Sequence, residues 1–424
     1  MVSPKTKRII SYFLFSCLIG IGIFIFGFYL NYTFHPYCLK LGYTLCAAVG
    51  EDFYSLYQSS YSFFHFNFIY GKPASLNLVT PYFMPFKYLP ATPLLVGWPF
   101  VLFSHPDSAY QFFLWISVVL HLLSLYILYL IGKKLKAKPV TIALVLFIWL
   151  SYFSILSNWR MGQFNHLAAI FFLFMVAAIL YKKKIFTALS WIISLAWKPV
   201  TILAFPYFWK RKNKQALILF SSLFIFFTAA YLGYWQLYSP SAIKTFFQTI
   251  LLQGNRLPLQ VHYIDNFGVY ALGGEIFFDH GRKIWNVFSL IYPYLVLLFY
   301  FFVTLRVKLE KQSERIYYLL FTLATLLMWH KELWESWLVL WLPIVTILLL
   351  MSRKRKDKIF ILVNIAFLAT PSLYYFQQLH PLPLWRFVLI AEKAIPQLLI
   401  YLFLIWKLLS GDRKKESIGP VPDR

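Results

Sequence analysis

The sequence predicts an all-α integral membrane protein, a single polytopic domain over 1–424 built as a bundle of about twelve transmembrane helices (roughly 11–13). Three observations predict it. The 424 residues are 60% hydrophobic and only 13% charged, where a soluble domain carries about 25% charged residues. Apolar runs recur at lengths near the ~20 residues that cross a hydrocarbon core. The 40 Lys and Arg, set against 15 Asp and Glu, gather in clusters that fall on one side once those runs are read as spans.

The spans read 9–31, 109–132, 139–157, 165–181, 185–197, 199–210, 215–238, 285–306, 315–330, 336–351, 358–375 and 388–408. Residues 9–31 exceed the apolar core of a cleaved signal and read as an uncleaved first span. The fifth and sixth are short because Lys198 and Pro199 interrupt the run, and a residue before proline leaves the helical region. A hairpin at that point keeps every basic cluster on one side: "KTKR" (5–8), "KKLKAK" (133–138), "KKK" (182–184), "KRKNK" (210–214), "RVKLEKQSER" (306–315), "RKRKDK" (353–358) and the tail from Lys407. A single long helix through Lys198 would put "KRKNK" on the other side. The basic side is cytoplasmic by the positive-inside rule. Both termini are then cytoplasmic, with a tail at 410–424, and the setting is an integral plasma (inner) membrane protein.

The net charge of +25 is thus explained by topology and by anchoring to membrane lipids. No nucleic-acid module, P-loop, CxxC or HExxH is present in the sequence, and no metal or cofactor is implied. Cys17 reads as apolar filling, while Cys38 and Cys46 share the first outer loop and either stay free or pair in an oxidising compartment.

The opposite side carries Glu51, Asp52, Asp107, Asp265, Glu275, Asp279, Glu332, Glu335 and Glu392. Two large loops lie there, 32–108 and 239–284. In the first, Ser55, Gln58, Ser59 and Ser62 alternate at helical spacing with Tyr54, Tyr57, Tyr61 and Phe64, which predicts an interfacial helix with its aromatic side in the headgroups. Asp52 stands at its start, either as an N-cap or as a carboxylate fixed at the water–lipid boundary, with Glu51 beside it as a second charge. Pro81, Pro85, Pro90, Pro93 and Pro99 then exclude regular helix until after Pro93, so that 94–104 dips in or lies flat.

These residues resemble the GT-C superfamily of polytopic glycosyltransferases, and within it glycosyltransferase family 87, the polyprenyl-phosphate-mannose-dependent mannosyltransferases. The resemblance rests on "EDF..LY" after the first span, "IYG" (69–71) with the proline-rich "YFMPFKYLPATPLL", "MGQFNHLAAIFFLFMVAAILYKKK" (161–184) with its Gly-Gln-x-Asn, and the Lys-Pro of "ISLAWKPVTILAFPYFWKRK" (193–212). The second half departs from the family pattern, reading "HYIDNFGVYALGG" and "WHKELWES" where the family tends to other stretches. The resemblance implies a GT-C-like bundle with its active site facing outside. It implies a hexose, mannose first, carried on a polyprenyl phosphate and passed to a lipid-linked or glycan acceptor. It also implies a base in the first outer loop, which here is Asp52 with Glu51 as its alternative.

A single inverting displacement needs one base and cations for the leaving phosphate. Arg160 and Lys198, then Lys331 and His262, are the phosphate-binding candidates, with snorkelling to the interface as the plain alternative for the first two. Gln163, Asn165, His166, Asp265, Asn266, His330, Glu332 and Glu335 are the sugar- or acceptor-binding candidates. Gln163 and Asn165 serve equally as helix caps, and the histidines as ordinary hydrogen-bonded residues. Two rival readings remain: a metal-dependent lipid-linked oligosaccharide transferase using Asp52 with Glu332 or Glu335, and a lipid-sugar flippase broken at Lys198–Pro199.

Overall fold

The computed structural model describes residues 4–34, 49–65, 67, 69–70, 78–81, 86, 88, 92–212, 214–225, 266–278, 282–373 and 386–410. Cys38, Cys46, His262, Asp265, Asp279, residues 226–238 of the seventh expected span and the tail beyond 410 lie outside them. The described residues are helical, without strands. In chain order the helices are α1 (Pro4–Phe34), α2 (Glu51–Phe64), α3 (Pro106–Lys134), α4 (Pro139–Ser151), α5 (Ser154–Met161), α6 (Asn165–Leu180), α7 (Lys184–Trp197) and α8 (Phe205–Lys210). They continue with α9 (Lys214–Phe220), α10 (Val269–Phe278), α11 (Arg282–Arg306), α12 (Gln312–Trp329), α13 (Trp341–Met351), α14 (Arg355–Ala369) and α15 (Arg386–Leu409).

Among the described residues five helical stretches are long and apolar enough to cross a membrane: Phe13–Thr33, Pro106–Lys134, Pro139–Met161, Asn286–Arg306 and Arg386–Leu409. Shorter apolar helices fill the interior. The most central is α6, whose residues from Asn165 to Leu173 are almost all buried, and it packs on α7 and α3. By contrast, α11 turns Leu290, Tyr294, Leu298, Phe301 and Leu305 outward, the lipid-facing pattern of a bundle margin. Where helices approach closely, a small residue stands at the crossing. A Cβ on Gly132 would lie 2.8 Å from Ile142, and one on Gly97 would lie 2.0 Å from Ser60 Oγ.

The basic loops meet at one end of the bundle. The Arg353 guanidinium donates to the carbonyls of Leu135 and Lys136, Lys358 Nζ donates to Thr141 Oγ1, and Gln312 Nε2 donates to the Leu180 carbonyl. Lys210 Nζ caps the last turn of α11 through the Thr304 and Val307 carbonyls. Lys407 and Asp357 form a buried ion pair, 2.8 Å, tying α15 to α14. The hairpin at Lys198 has the expected form. α7 rises from Lys184 at the basic end, Lys198 is extended, and the chain returns through a 3₁₀ turn (Pro199–Ala204) and α8 to Lys210.

Two expectations change. The run 139–157 is not one helix: α4 stops at Ser151, Tyr152 is extended, and α5 restarts at Ser154. Such a break is tolerated in an apolar interior only if its backbone groups find partners. Here they do, since Phe153 N–H donates to the Ala369 carbonyl and Tyr29 Oη–H donates to the Ser151 carbonyl. The helix of the first loop exists, but its polar side is not solvated. Ser55, Gln58, Ser59 and Ser62 are all buried, against the turns of 93–102 and against α3 and α5. Phe53 accounts for this, because its ring sits within about 5 Å of Phe100, Tyr110 and Phe113 and draws the helix into the bundle. The stretch 94–104 forms a π turn (Pro93–Gly97) and a 3₁₀ turn (Phe100–Leu102) with Trp98 and Leu102 exposed.

Gly97→Ala should lower thermal stability in detergent, by about 1–3 kcal/mol, and adding Ser60→Ala should recover part of that loss. Equal melting temperatures for wild type and Gly97→Ala would contradict the crossing described here.

Candidate active site

At the end of the bundle opposite the basic loops, three chain breaks come together. The first is the start of α2. Gly50 adopts the left-handed region (φ 76°) as N-cap, and Glu51 and Asp52 are the first two helical residues. Of the two readings left open for Asp52, the N-cap does not hold; Gly50 takes that place because the chain must reverse there with φ positive. The carboxylate instead lies in the first turn, where unpaired backbone N–H groups favour negative charge.

The second break joins α5 to α6. Gly162 (φ 66°) ends α5, with Gln163 N–H donating to the Asn158 carbonyl at 2.8 Å. The two breaks touch. Gly50 N–H donates to the Arg160 carbonyl at 2.8 Å, and a Cβ on Gly162 would lie 2.7 Å from Phe53 Cβ and 3.0 Å from Phe53 N. Tyr110 Oη holds the same turn by donating to the Trp159 and Arg160 carbonyls. Arg160 itself is buried, with its guanidinium over the Tyr32 ring at 5.0 Å.

Tyr88, from the proline-rich stretch, donates its phenol to the Asp52 carboxylate. Burial and that negative charge hold the phenol well above its ordinary pKa. Tyr88 is fixed by Tyr70 Oη–H, which donates to its carbonyl at 2.7 Å, and by Phe164, 5.0 Å between centroids. Phe164 also packs on Trp197, the residue before the third break.

That break is Lys198, buried and extended between α7 and the 3₁₀ turn. Its Nζ stands 3.7 Å from the centroid of Trp337, and His330 packs on the same indole at 4.1 Å. His330 accepts the Glu332 N–H at Nδ1, so its proton sits on Nε2. Burial and the Lys198 charge push its pKa down to about 4. Lys331 lies over Tyr270 at 5.4 Å, and burial lowers its pKa. Thus the "AWKPV" and "WHKELWES" segments, far apart in sequence, share one indole.

The remaining candidates separate. Asn266 does not face a cavity with a spare amide. Its Oδ1 accepts from Leu333 and Gly268 N–H, and its Nδ2 donates to the Lys331 carbonyl, a clamp on the 331–333 segment. His166 is interior: Trp159 Nε1–H donates to its Nδ1 (3.2 Å), leaving Nε2–H to donate to His121 Nδ1 (3.0 Å). This places it as a brace for the α5–α6 turn rather than as a ligand to a sugar. Asn165 is the first residue of α6, and no side-chain cap bond forms at that start. Its Nδ2 donates to Gln163 Oε1 (3.4 Å) and to the Ser336 carbonyl (3.2 Å). Glu332 is half-buried beside His330, and Glu335 is buried with Ser154 Oγ–H donating to its Oε1 at 2.7 Å. No group of three or more His, Cys, Asp or Glu comes together among the described residues.

Sequence reasoning missed Tyr88, Trp337 and Ser154. Nothing local distinguishes them, since each matters through a partner dozens to hundreds of residues away.

An apolar helical bundle thus gathers buried cations, a carboxylate and amides at one end. The family model for glycosyltransferase family 87 matches residues 86–331, more than half of the chain, and the chain belongs to that family. It is a multi-pass membrane glycosyltransferase, with a sugar donor and an acceptor as substrates. The matched stretch contains Tyr88, Arg160, Gln163, Lys198 and Lys331, while Asp52 lies upstream of it and Glu335 downstream. No curated protein and no solved structure matches the chain.

Two outcomes follow from this geometry. Gly162→Ala should cost at least about 10-fold in activity, because the added methyl meets Phe53 backbone in a strained conformation. Normal turnover by that variant would show that the join does not matter. His330 gives the second. Unfolded, it takes a proton near pH 6.5; folded, it resists until about 4. Acidification between those values therefore favours unfolding, and His330→Asn should flatten that part of the melting-temperature profile against pH. An unchanged slope would overturn the assignment.

Proposed function

We propose that the enzyme transfers a hexose, mannose first, from a polyprenyl phosphate to a lipid-linked or envelope glycan acceptor, on the extracytoplasmic face and by a single inverting displacement without a metal ion. The observation that carries this reading is the meeting of the Asp52 helix start with the Arg160–Gln163 turn. The chemistry needs only the groups gathered there. The acceptor hydroxyl attacks the anomeric carbon, forming the new C–O bond. Asp52 takes the hydroxyl proton. The bond from the anomeric carbon to the phosphate oxygen breaks, and its electron pair leaves on the polyprenyl phosphate.

Tyr88 holds the Asp52 carboxylate through its hydrogen bond, and Glu51 supplies a second negative charge at the helix start. Lys198, Lys331 and Arg160 are the cations for the leaving phosphate. A low His330 pKa keeps that ring neutral, so it donates through Nε2–H without competing for the anion as a second charge. Gln163, Asn165 and Glu332 supply amide and carboxylate contacts for sugar or acceptor hydroxyls. His262 and Asp265 stay as candidates from the second loop. The gathering of the basic loops at the other end supports the outward orientation through the positive-inside rule. A phosphate monoester leaving group held by lysine and arginine does not call for a divalent ion.

The test is a panel of mannosyl, glucosyl, galactosyl and arabinosyl polyprenyl phosphates with purified enzyme and excess EDTA. One donor should be consumed with inversion at its anomeric carbon. Asp52→Asn should insert normally and turn over at least about 100-fold more slowly. Full turnover by Asp52→Asn would remove that residue from the mechanism, and loss of activity with EDTA would favour a metal-dependent transferase.

A further inference from the structure

The seam between α5, α6 and the 3₁₀ turn Glu335–Leu340 buries three polar atoms that have no hydrogen-bond partner: Asn165 Oδ1, Glu335 Oε2 and Ser336 Oγ. The residues are 0%, 4% and 1% exposed. Leaving a buried polar atom unsatisfied costs about 1–3 kcal/mol, and three on neighbouring residues point to something that completes them.

Their surroundings define what that is. Asn158 Nδ2 donates to the carbonyls of Ser154 and Ser336, both at 2.7 Å, and its Oδ1 accepts the His166 N–H. Asn165 Nδ2 is used on Ser336 and Gln163, and Glu335 Oε1 accepts from Ser154. The amide donors of Asn158 and Asn165 and the Ser154 hydroxyl are consumed internally. What remains is a carboxylate oxygen, an amide oxygen and one hydroxyl, a set that asks for hydrogen-bond donors. A metal cation would also coordinate such oxygens, but Lys393 already acts electrostatically on Glu335 from α15, where its Nζ is held by the Phe367 and Thr370 carbonyls. A neutral polyol suits the site better, because each hydroxyl donates to one acceptor and accepts from the next.

Position gives the polyol its identity. Ser336 immediately precedes Trp337, whose ring carries Lys198. Asn165 leads through Gln163 to the turn that supports the Asp52 helix. The seam therefore adjoins both the phosphate-binding cations and the turn beneath the base. We infer that Glu335, Asn165 and Ser336 form the subsite that reads the hydroxyls of the transferred sugar, with Ser154 and Asn158 as the positioning residues that aim it. This inference rests on the transferase reading above and deepens it, since it names the residues that set which hexose is accepted.

The experiment uses the full-length enzyme in detergent, its active polyprenyl-phosphate hexose, and monodeoxy congeners of that donor lacking each ring hydroxyl in turn. For wild type, one or two deletions should each cost roughly 10- to 100-fold in kcat/KM, the range for a hydrogen bond to a charged partner. In Glu335→Gln the parent donor should lose a comparable factor, and the same deoxy donor should then carry little further penalty. Asn165→Ala and Ser336→Ala, which leave the Ser336 carbonyl in place, should each erase the penalty of a different hydroxyl or share that one. Penalties that stay independent of all three substitutions would overturn the subsite, as would a Glu335→Gln enzyme that handles every donor as wild type does, the result for a pocket filled by structural water. If no polyprenyl-phosphate sugar is consumed by wild type, the transferase reading fails first and the subsite with it. A misfolded Glu335→Gln is recognised by its melting temperature, and Ser336→Ala then decides the matter.

Discussion

Backbone amides and carbonyls have no water to turn to inside an apolar bundle, so a helix can be interrupted there only where other parts of the protein satisfy what the interruption releases. This chain interrupts its helices at Ser151–Phe153, at Gly162–Phe164 and at Lys198, and begins one at Gly50. Distant segments close several of these openings: Phe153 by Ala369, Arg160 by Gly50, Ala196 before Lys198 by Thr92, and Ser154 and Asn158 by residues 335–336. The openings are also where polar side chains concentrate. An unbroken helix spends its polar backbone on itself and leaves a site only side chains from one face. A broken helix adds its ends, with their partial charges and their permission for glycine turns.

The electrostatics follow the same logic. Lys198 is buried against an indole face, where a cation loses hydration but gains the ring's negative quadrupole. That arrangement keeps a positive charge in a low-dielectric setting, where an anion would be attracted more strongly than in water. The neighbouring imidazole remains uncharged, which limits the repulsion that a second buried cation would create. At the other end of the molecule, charges do a different job. Lysine and arginine there cap helix C-termini and link loops through carbonyls.

Hydropathy and the basic clusters made much of the architecture legible in advance, including the unusual hairpin at Lys198, because both depend on local composition. Burial inside the bundle was not legible. An apolar run looks the same whether it faces lipid, as Leu290 and Leu298 do, or other helices, as Leu167 and Leu173 do. The first-loop helix was recognised, yet its serine stripe suggested water, when in a membrane protein small hydroxyl residues also mark close helix crossings such as Ser60 with Gly97. At the site, Asp52, Arg160, Lys198 and His330 could be singled out as polar residues at span ends. Asn266 and His166 could be as well, and only three-dimensional partners show that these two brace the structure. Tyr88 and Trp337 carried no local signal.

Helix α15 joins both ends of the molecule. Near its C-terminus Lys407 meets Asp357, while Gln397 donates to the Phe267 carbonyl and accepts from Trp341 Nε1, and Lys393 neighbours Glu335. One helix thus fastens two segments, 266–268 and 331–341, that come from different parts of the chain, and a change that shifted α15 would loosen both together.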